Sequence, residues 1–308
     1  MASSALGIVG LGRRYGGLAL GVLIVSTAAL LIRYAIGAGA GPLAVAAGRL
    51  TLAALVVVPL ALWQRGPELA RLRRPDWMIA AVAGVFLAAH FATWVSSLAY
   101  TSVASSVALV TTNPVWVGLA SWWLLGEPPS RRTLGGIVLA AAGSALVIAS
   151  DLVATPTAVG GGPSAPLLGN LLALAGAIAV SGYFLVGRRL NRSISLLSYV
   201  AIVYGASAIA MNLIATIAGQ GLLTIPAAAW LPIAALAIGP QLAGHTLINA
   251  SLRQLSATFV ALAILGEPIG SALLAWLLLG ETIAPLQGAG FATLLIGIVV
   301  AASGERRP

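Results

Sequence analysis

Ten apolar stretches of roughly 20 residues follow one another along the chain, the length that carries a helix across about 30 Å of hydrocarbon at 1.5 Å per residue. They lie near 16–36, 43–63, 76–99, 103–125, 133–150, 166–187, 195–218, 228–250, 256–279 and 283–302. Between them there is too little charge to build a water-facing surface. Charged residues are 7% of the 308 and apolar ones 60%, against about 25% charged in a soluble globule. The sequence therefore predicts an all-α integral membrane protein of ten transmembrane helices. The first stretch exceeds a signal-peptide core and lacks a convincing cleavage site, so it reads as a span. Arg13-Arg14 before it reads as a cytoplasmic anchor in preference to a twin-arginine signal.

The net charge of +9 comes from 16 arginines and no lysine. Fourteen of the sixteen, from Arg13 and Arg14 to Arg306 and Arg307, fall in alternate loops, and only Arg33 and Arg49 lie within spans. Short basic runs confined to alternate loops are the mark of cytoplasmic loops, not of a nucleic-acid-binding face. Both termini are therefore expected in the cytoplasm. The lack of lysine excludes a Walker A loop and a Schiff-base mechanism, and the lack of cysteine excludes disulfides and thiolate metal sites.

The chain repeats itself. Shifting Pro114–Glu127 by 154 places it on Pro268–Glu281 with seven matches in fourteen positions, among them Trp122 on Trp276 and a shared Leu-Leu-Gly-Glu end. Each copy has five spans, an odd number, so the second must enter the membrane inverted relative to the first. Residues 1–150 form the first five-helix repeat and 166–308 the second; 151–165, rich in Pro, Gly, Ser and Thr, is a linker on the outer, periplasmic side. Inverted repeats are a transporter architecture with the substrate site near the midplane.

Several stretches resemble the drug/metabolite transporter superfamily, and within it the EamA-type carriers. Ser97–Ser105 and Ser251–Phe259 resemble the family's short turn between the third and fourth helices of each repeat. Pro114–Glu127 and Glu267–Glu281 are similar to its most recognisable helix, and Gly136, Gly143, Gly290 and Gly297 to its final one; Arg49 resembles its helix-two arginine. The chain most resembles the YddG-type amino-acid exporters of bacterial inner membranes. That resemblance implies export of amino acids, aromatic or other neutral ones, and of some hydrophobic cations.

Glu267 is the only acidic residue deep in a span. An ionised carboxylate at the bilayer centre costs at least about 2.5 kcal/mol, so it must be protonated, paired or wetted. Pro268 beside it removes a backbone donor and should kink the helix, leaving carbonyls free to face a cavity; Pro114 should act likewise. Glu267 is expected to line the path and hold a substrate ammonium or a proton, the alternative being a structural carboxyl tied to neighbouring helices. Asn113 occupies the matching place in the first repeat.

Gln241, His245 and Asn249 share one helix face and should look inward, either to bind substrate or to join helices by hydrogen bonds. His90 and Trp94 share a similar face with Phe86 and Ser97. Two histidines alone do not complete a metal site; they titrate or are simply packed. Trp94, Trp116, Tyr183, Tyr199 and Tyr204 are aromatic candidates for an apolar cavity, while Trp63, Trp77 and Trp230 read as interfacial. Arg33 is expected to snorkel, and Arg49 to pair with Glu267 or a substrate carboxylate. Glu127 and Glu281 read as helix ends held by loop backbone.

The function expected is secondary transport with alternating access through a central cavity, exporting amino acids and related metabolites across a bacterial inner membrane. No nucleotide-binding motif is present, so the drive is a gradient; no cofactor is expected. Partners are a small-molecule substrate and the lipid bilayer, without nucleic acid, and a monomer suffices. Efflux of hydrophobic cations and nucleotide-sugar exchange are the alternative carriers. A membrane-embedded enzyme is remote, because Ala179-Val-Ser181-Gly182 lacks the first glycine of a rhomboid motif, and Asp76 and Asp151 both sit at span ends. A channel is disfavoured by the inverted repeat.

Overall fold

The computed structural model describes residues 16–125, 129–153, 165–251 and 263–303, and every regular element among them is helical. The helices are α1 (Gly16–Gly37), α2 (Pro42–Ala70), α3 (Arg74–Ser97), α4 in two halves (Val103–Val110 and Asn113–Leu125), α5 (Arg131–Val153), α6 (Pro166–Ser193), α7 (Leu196–Ile217), α8 (Ala227–Ser251), α9 (Gly266–Leu279) and α10 (Pro285–Ser303). Eight of these ten carry a stretch long and apolar enough to cross a membrane; the apolar parts of α9 and α10 are shorter.

Their starts follow the sequence. Proline opens α2 and α6, where a missing N–H costs nothing. Ser102 and Ser195 cap α4 and α7 through their hydroxyls. Exposed Leu55, Trp63, Leu213, Ile217 and Leu231 turn outward as lipid-facing side chains do. Trp77 is also exposed, whereas Trp230 packs partly against the core.

The two copies are antiparallel. Glu68, at the end of α2, accepts hydrogen bonds from Ser195 N (2.7 Å) and Ser198 Oγ (2.6 Å) at the start of α7. Gln220, past the end of α7, accepts one from Leu43 N (3.0 Å) at the start of α2. Each helix thus caps the other's beginning, which requires opposite directions. At the α5–α10 crossing, a Cβ on Gly136 would stand 2.2 Å from Ala301 N, and one on Gly143 2.3 Å from Leu294 N. Reciprocally, a Cβ on Gly297 would stand 2.3 Å from Ala140 N. As numbering rises on α5 it falls along α10, so these helices also run oppositely, backbone against backbone. The starts of α2 and α7 (42 and 196) and of α5 and α10 (131 and 285) are each 154 apart, the shift of the sequence repeat.

The prolines act one turn ahead of where they stand. Pro114 has no N–H for Val110 O, and its ring clashes with that carbonyl, so α4 breaks at Thr111–Thr112 and restarts at Asn113. Leu265 is a turn in the matching place before α9. Side chains at the break bond some of the carbonyls just before it. Thr111 Oγ1 donates to Val107 O and Ala108 O (both 2.9 Å), and Thr112 Oγ1 to Leu109 O (2.7 Å). The Thr111 hydroxyl thus meets the Ala108 carbonyl, whereas Val110 O, which Pro114 cannot serve, receives neither hydroxyl.

Candidate functional site

The polar centre is built where α2, α3, α7 and α8 meet. Arg49 on α2 is fully buried. Its Nη2 donates to Gln241 Oε1 at 2.6 Å, and its guanidinium carbon lies 4.0 Å over the Phe91 ring of α3. Phe91 in turn meets His245 edge-on, with centroids 6.3 Å apart. His90 stacks on Trp94 at 5.7 Å and 15°, and its Nδ1 donates to the Gly176 carbonyl of α6 at 2.9 Å, which fixes the imidazole against that helix. Tyr204 is buried on α7 with its hydroxyl 3.5 Å from Gln241 O. Tyr183 faces Tyr199 and Asn249.

Gln241 holds this position because α8 is not a regular α-helix. Residues Ala237–Gly244 are π-helical with Pro240 inside, and His245 N donates to Pro240 O five residues back. Pro240 lacks the N–H of the ordinary ladder, and the wider turn absorbs the mismatch. The 3.6-residue face expected for Gln241, His245 and Asn249 is therefore re-spaced across the bulge, although Gln241 and Asn249 are buried as expected.

Glu267 lies in the first turn of α9, where the helix N-terminus favours a carboxylate. It is half-buried. Among the described residues it has no hydrogen bond and no ion pair; it interacts with Arg49 through charge across a gap wider than the 4.0 Å of an ion pair. Asn113, its counterpart, is also half-buried, and its carbonyl accepts from Ser181 Oγ of α6 at 3.0 Å.

His90, Trp94, Gln241, His245 and Tyr204 are brought together with Arg49; Tyr183 and Asn249 lie beside them. Trp116 is not in this group. Its Nε1 donates to Thr112 Oγ1 at 3.1 Å, at the break in α4. Phe91 was not legible as a site residue, since an apolar ring in an apolar span gives no signal. Arg49 was legible as an arginine in lipid, but its partner on α8 was not.

The end of the molecule away from the termini is closed by a polar network between the copies. Arg33 is not a snorkelling side chain. It ion-pairs with Glu281 at 3.2 Å and donates to Thr101 O at 2.6 Å, with only 9% of its side chain exposed. Glu281 also accepts from Val103 N at 2.8 Å, so the backbone it ties belongs to the other copy. Burial lifts its carboxyl above the ordinary glutamate range, against the pull of Arg33 and the Val103 N–H. Gln287 Nε2 reaches Ser105 Oγ (2.7 Å) and Asp151 Oδ1 (3.2 Å), and Asn170 Nδ2 reaches Asp151 Oδ2 (2.8 Å). Glu127, most of the 151–165 linker and Leu252–Phe259 of the second family turn lie outside the described residues.

Antiparallel halves, helices broken at matching prolines and a polar centre within apolar spans define a polytopic membrane carrier. The EamA-like transporter family profile matches residues 15–149 and again 167–303, and the chain belongs to that family. It is 23% identical over 285 residues, 90% of either chain, to an uncharacterized transporter, YyaM, of Bacillus subtilis (strain 168). A solved crystal structure, 24% identical, superposes with a TM-score of 0.60 over 94% of this chain and 96% of its own, a likeness of fold. The protein is a multi-pass membrane transporter and not an enzyme.

Proposed function

We propose that this transporter exports amino acids, aromatic or other neutral ones, and related small metabolites from the cytoplasm of a bacterial cell by alternating access. The halves 1–150 and 166–308 rock about a central site reached by His90, Trp94, Asn113, Tyr183, Tyr204, Gln241, His245, Asn249 and Glu267, with Trp116 outside it at the α4 break. The observation that carries this reading is Glu267: a half-buried carboxylate at a helix break, unpaired among the described residues, beside a ring-lined polar centre. Such a group holds a substrate ammonium or a proton. The rings of the neighbouring Arg49 centre supply an apolar wall for the rest of the substrate. With the termini in the cytoplasm, the closed Arg33–Glu281 end faces outward, as in a carrier open to loading from inside.

The test is transport of a panel of labelled amino acids in proteoliposomes, with and without a pH gradient. Wild type is expected to move neutral amino acids, and Glu267→Gln to lose transport or its pH dependence. Unchanged transport by the variant at every pH makes Glu267 structural. A second reading, efflux of hydrophobic cations, is favoured by the same carboxylate, unpaired among the described residues, and predicts transport of aromatic amines in place of amino acids.

A further inference from the structure

The buried centre holds hydrogen-bond donors that have no acceptor among the described residues. Arg49 is 0% exposed, yet only its Nη2 is bonded; Nε and Nη1 have no partner among the described residues. Trp94, 3% exposed, has an indole Nε1–H that is also without a partner. Both side chains lie against the same ring: the Arg49 guanidinium is 4.0 Å from the Phe91 centroid, and the Trp94 ring 6.3 Å from it. Buried donors are almost always paired, because each one left unmet forfeits its hydration, most of all when charged. A guanidinium offers carboxylate oxygens a side-on fork through Nε and Nη2 and an end-on fork through Nη1 and Nη2, so with Gln241 on Nη2 the unmet Nε and Nη1 each leave one charge-assisted donor for a carboxylate oxygen. Phe91 covers one face of the guanidinium and Gln241 occupies the Nη2 corner, so the two unmet donors are held in a fixed orientation.

We propose that Arg49 is the docking point for a carboxylate on the transported molecule, with Trp94 as a neighbouring donor. This rests on the central-site reading above and narrows it. Glu267, across a gap from Arg49, takes a positive group, and Arg49 takes a negative one. The pair fits a zwitterion whose ammonium faces α9 and whose carboxylate faces α2. A lone hydrophobic cation at Glu267 would instead be held near an uncompensated buried guanidinium, and this asymmetry sets the selectivity against it.

The experiment is ligand binding to the purified full-length protein in detergent, read by thermal shift and by tryptophan fluorescence, in chloride-free buffer. The probes are L-phenylalanine, its carboxamide, phenethylamine (no carboxylate) and phenylacetate (no amine). Carboxylate-bearing probes are expected to bind about 10- to 100-fold more tightly than their carboxylate-free partners, the scale of losing one or two charge-assisted hydrogen bonds. The preference should disappear in Arg49→Gln and return in part in Arg49→Lys. Glu267→Gln should weaken the amine-bearing probes and spare phenylacetate. Because the wild-type comparison needs no variant to fold, it stands alone. Amines binding as tightly as acids, or no carboxylate binding at all, overturns the proposal. So does a chloride titration that produces the Arg49-dependent shift while carboxylates add nothing, which would mark an inorganic-anion site. Phenylacetate binding through Arg49 without any amino-acid transport upholds the carboxylate dock and removes the amino-acid reading.

Discussion

At the scale of single residues, Gln241 is the side chain the centre can least spare. It is 1% exposed and supplies the one acceptor that Arg49 has among the described residues. Gln241→Ala would leave a third guanidinium donor buried without a partner. The expected cost is about 1–3 kcal/mol, seen as a lowered midpoint of thermal unfolding in detergent, with no such loss for a truncation at exposed Leu231. Residue roles were unevenly legible in the sequence. Glu267 and Arg49 announce themselves as ionisable groups in lipid. Their relation does not: the expected Arg49–Glu267 pair is replaced by Gln241, which reaches Arg49 only through a π-turn that periodicity cannot encode. Arg33 was misread because depth along a helix says nothing of what faces it from another; its partner, Glu281, lies 248 positions away.

At the scale of elements, the α5–α10 crossing is the part most clearly written in the sequence. Gly136, Gly143, Gly290 and Gly297 sit seven apart in each copy and remove the side chains where two backbones meet. Not every glycine here is so placed: Gly135, one position from Gly136, has nothing within 4 Å of where its Cβ would be. Gly143→Ala and Gly297→Ala are therefore expected to force the helices apart and lower thermal stability. Gly135→Ala should be neutral or stabilising by up to about 1 kcal/mol, the helix-propensity difference between the two residues. Equal losses at all three positions would show that the close approach is not what the glycines provide. By contrast, the split of α4 into two helices was legible only as a kink at Pro114. The hydroxyls of Thr111 and Thr112, which bond carbonyls of the turn before the break, carry no signal until the break is seen.

At the scale of the whole molecule, the arginine distribution predicts both termini in the cytoplasm, and the lack of native cysteine makes this directly testable. Ala70, exposed at the end of α2, and Leu223, fully exposed beyond α7, lie at opposite ends of the protein. With an impermeant thiol reagent, Leu223→Cys is expected to label in intact cells and Ala70→Cys only after permeabilisation. The reverse pattern would invert the topology and the direction of export. The crossing of α5 and α10 bears on the whole in another way. It has the form of an isologous contact, the same patch meeting itself about a two-fold axis, as identical subunits do. Two identical subunits, however, would have to carry a carboxylate in both halves or in neither. Fusion into one chain lets Glu267 take the place that Asn113 holds in the other copy, the asymmetry that the proposed cargo with unlike ends requires.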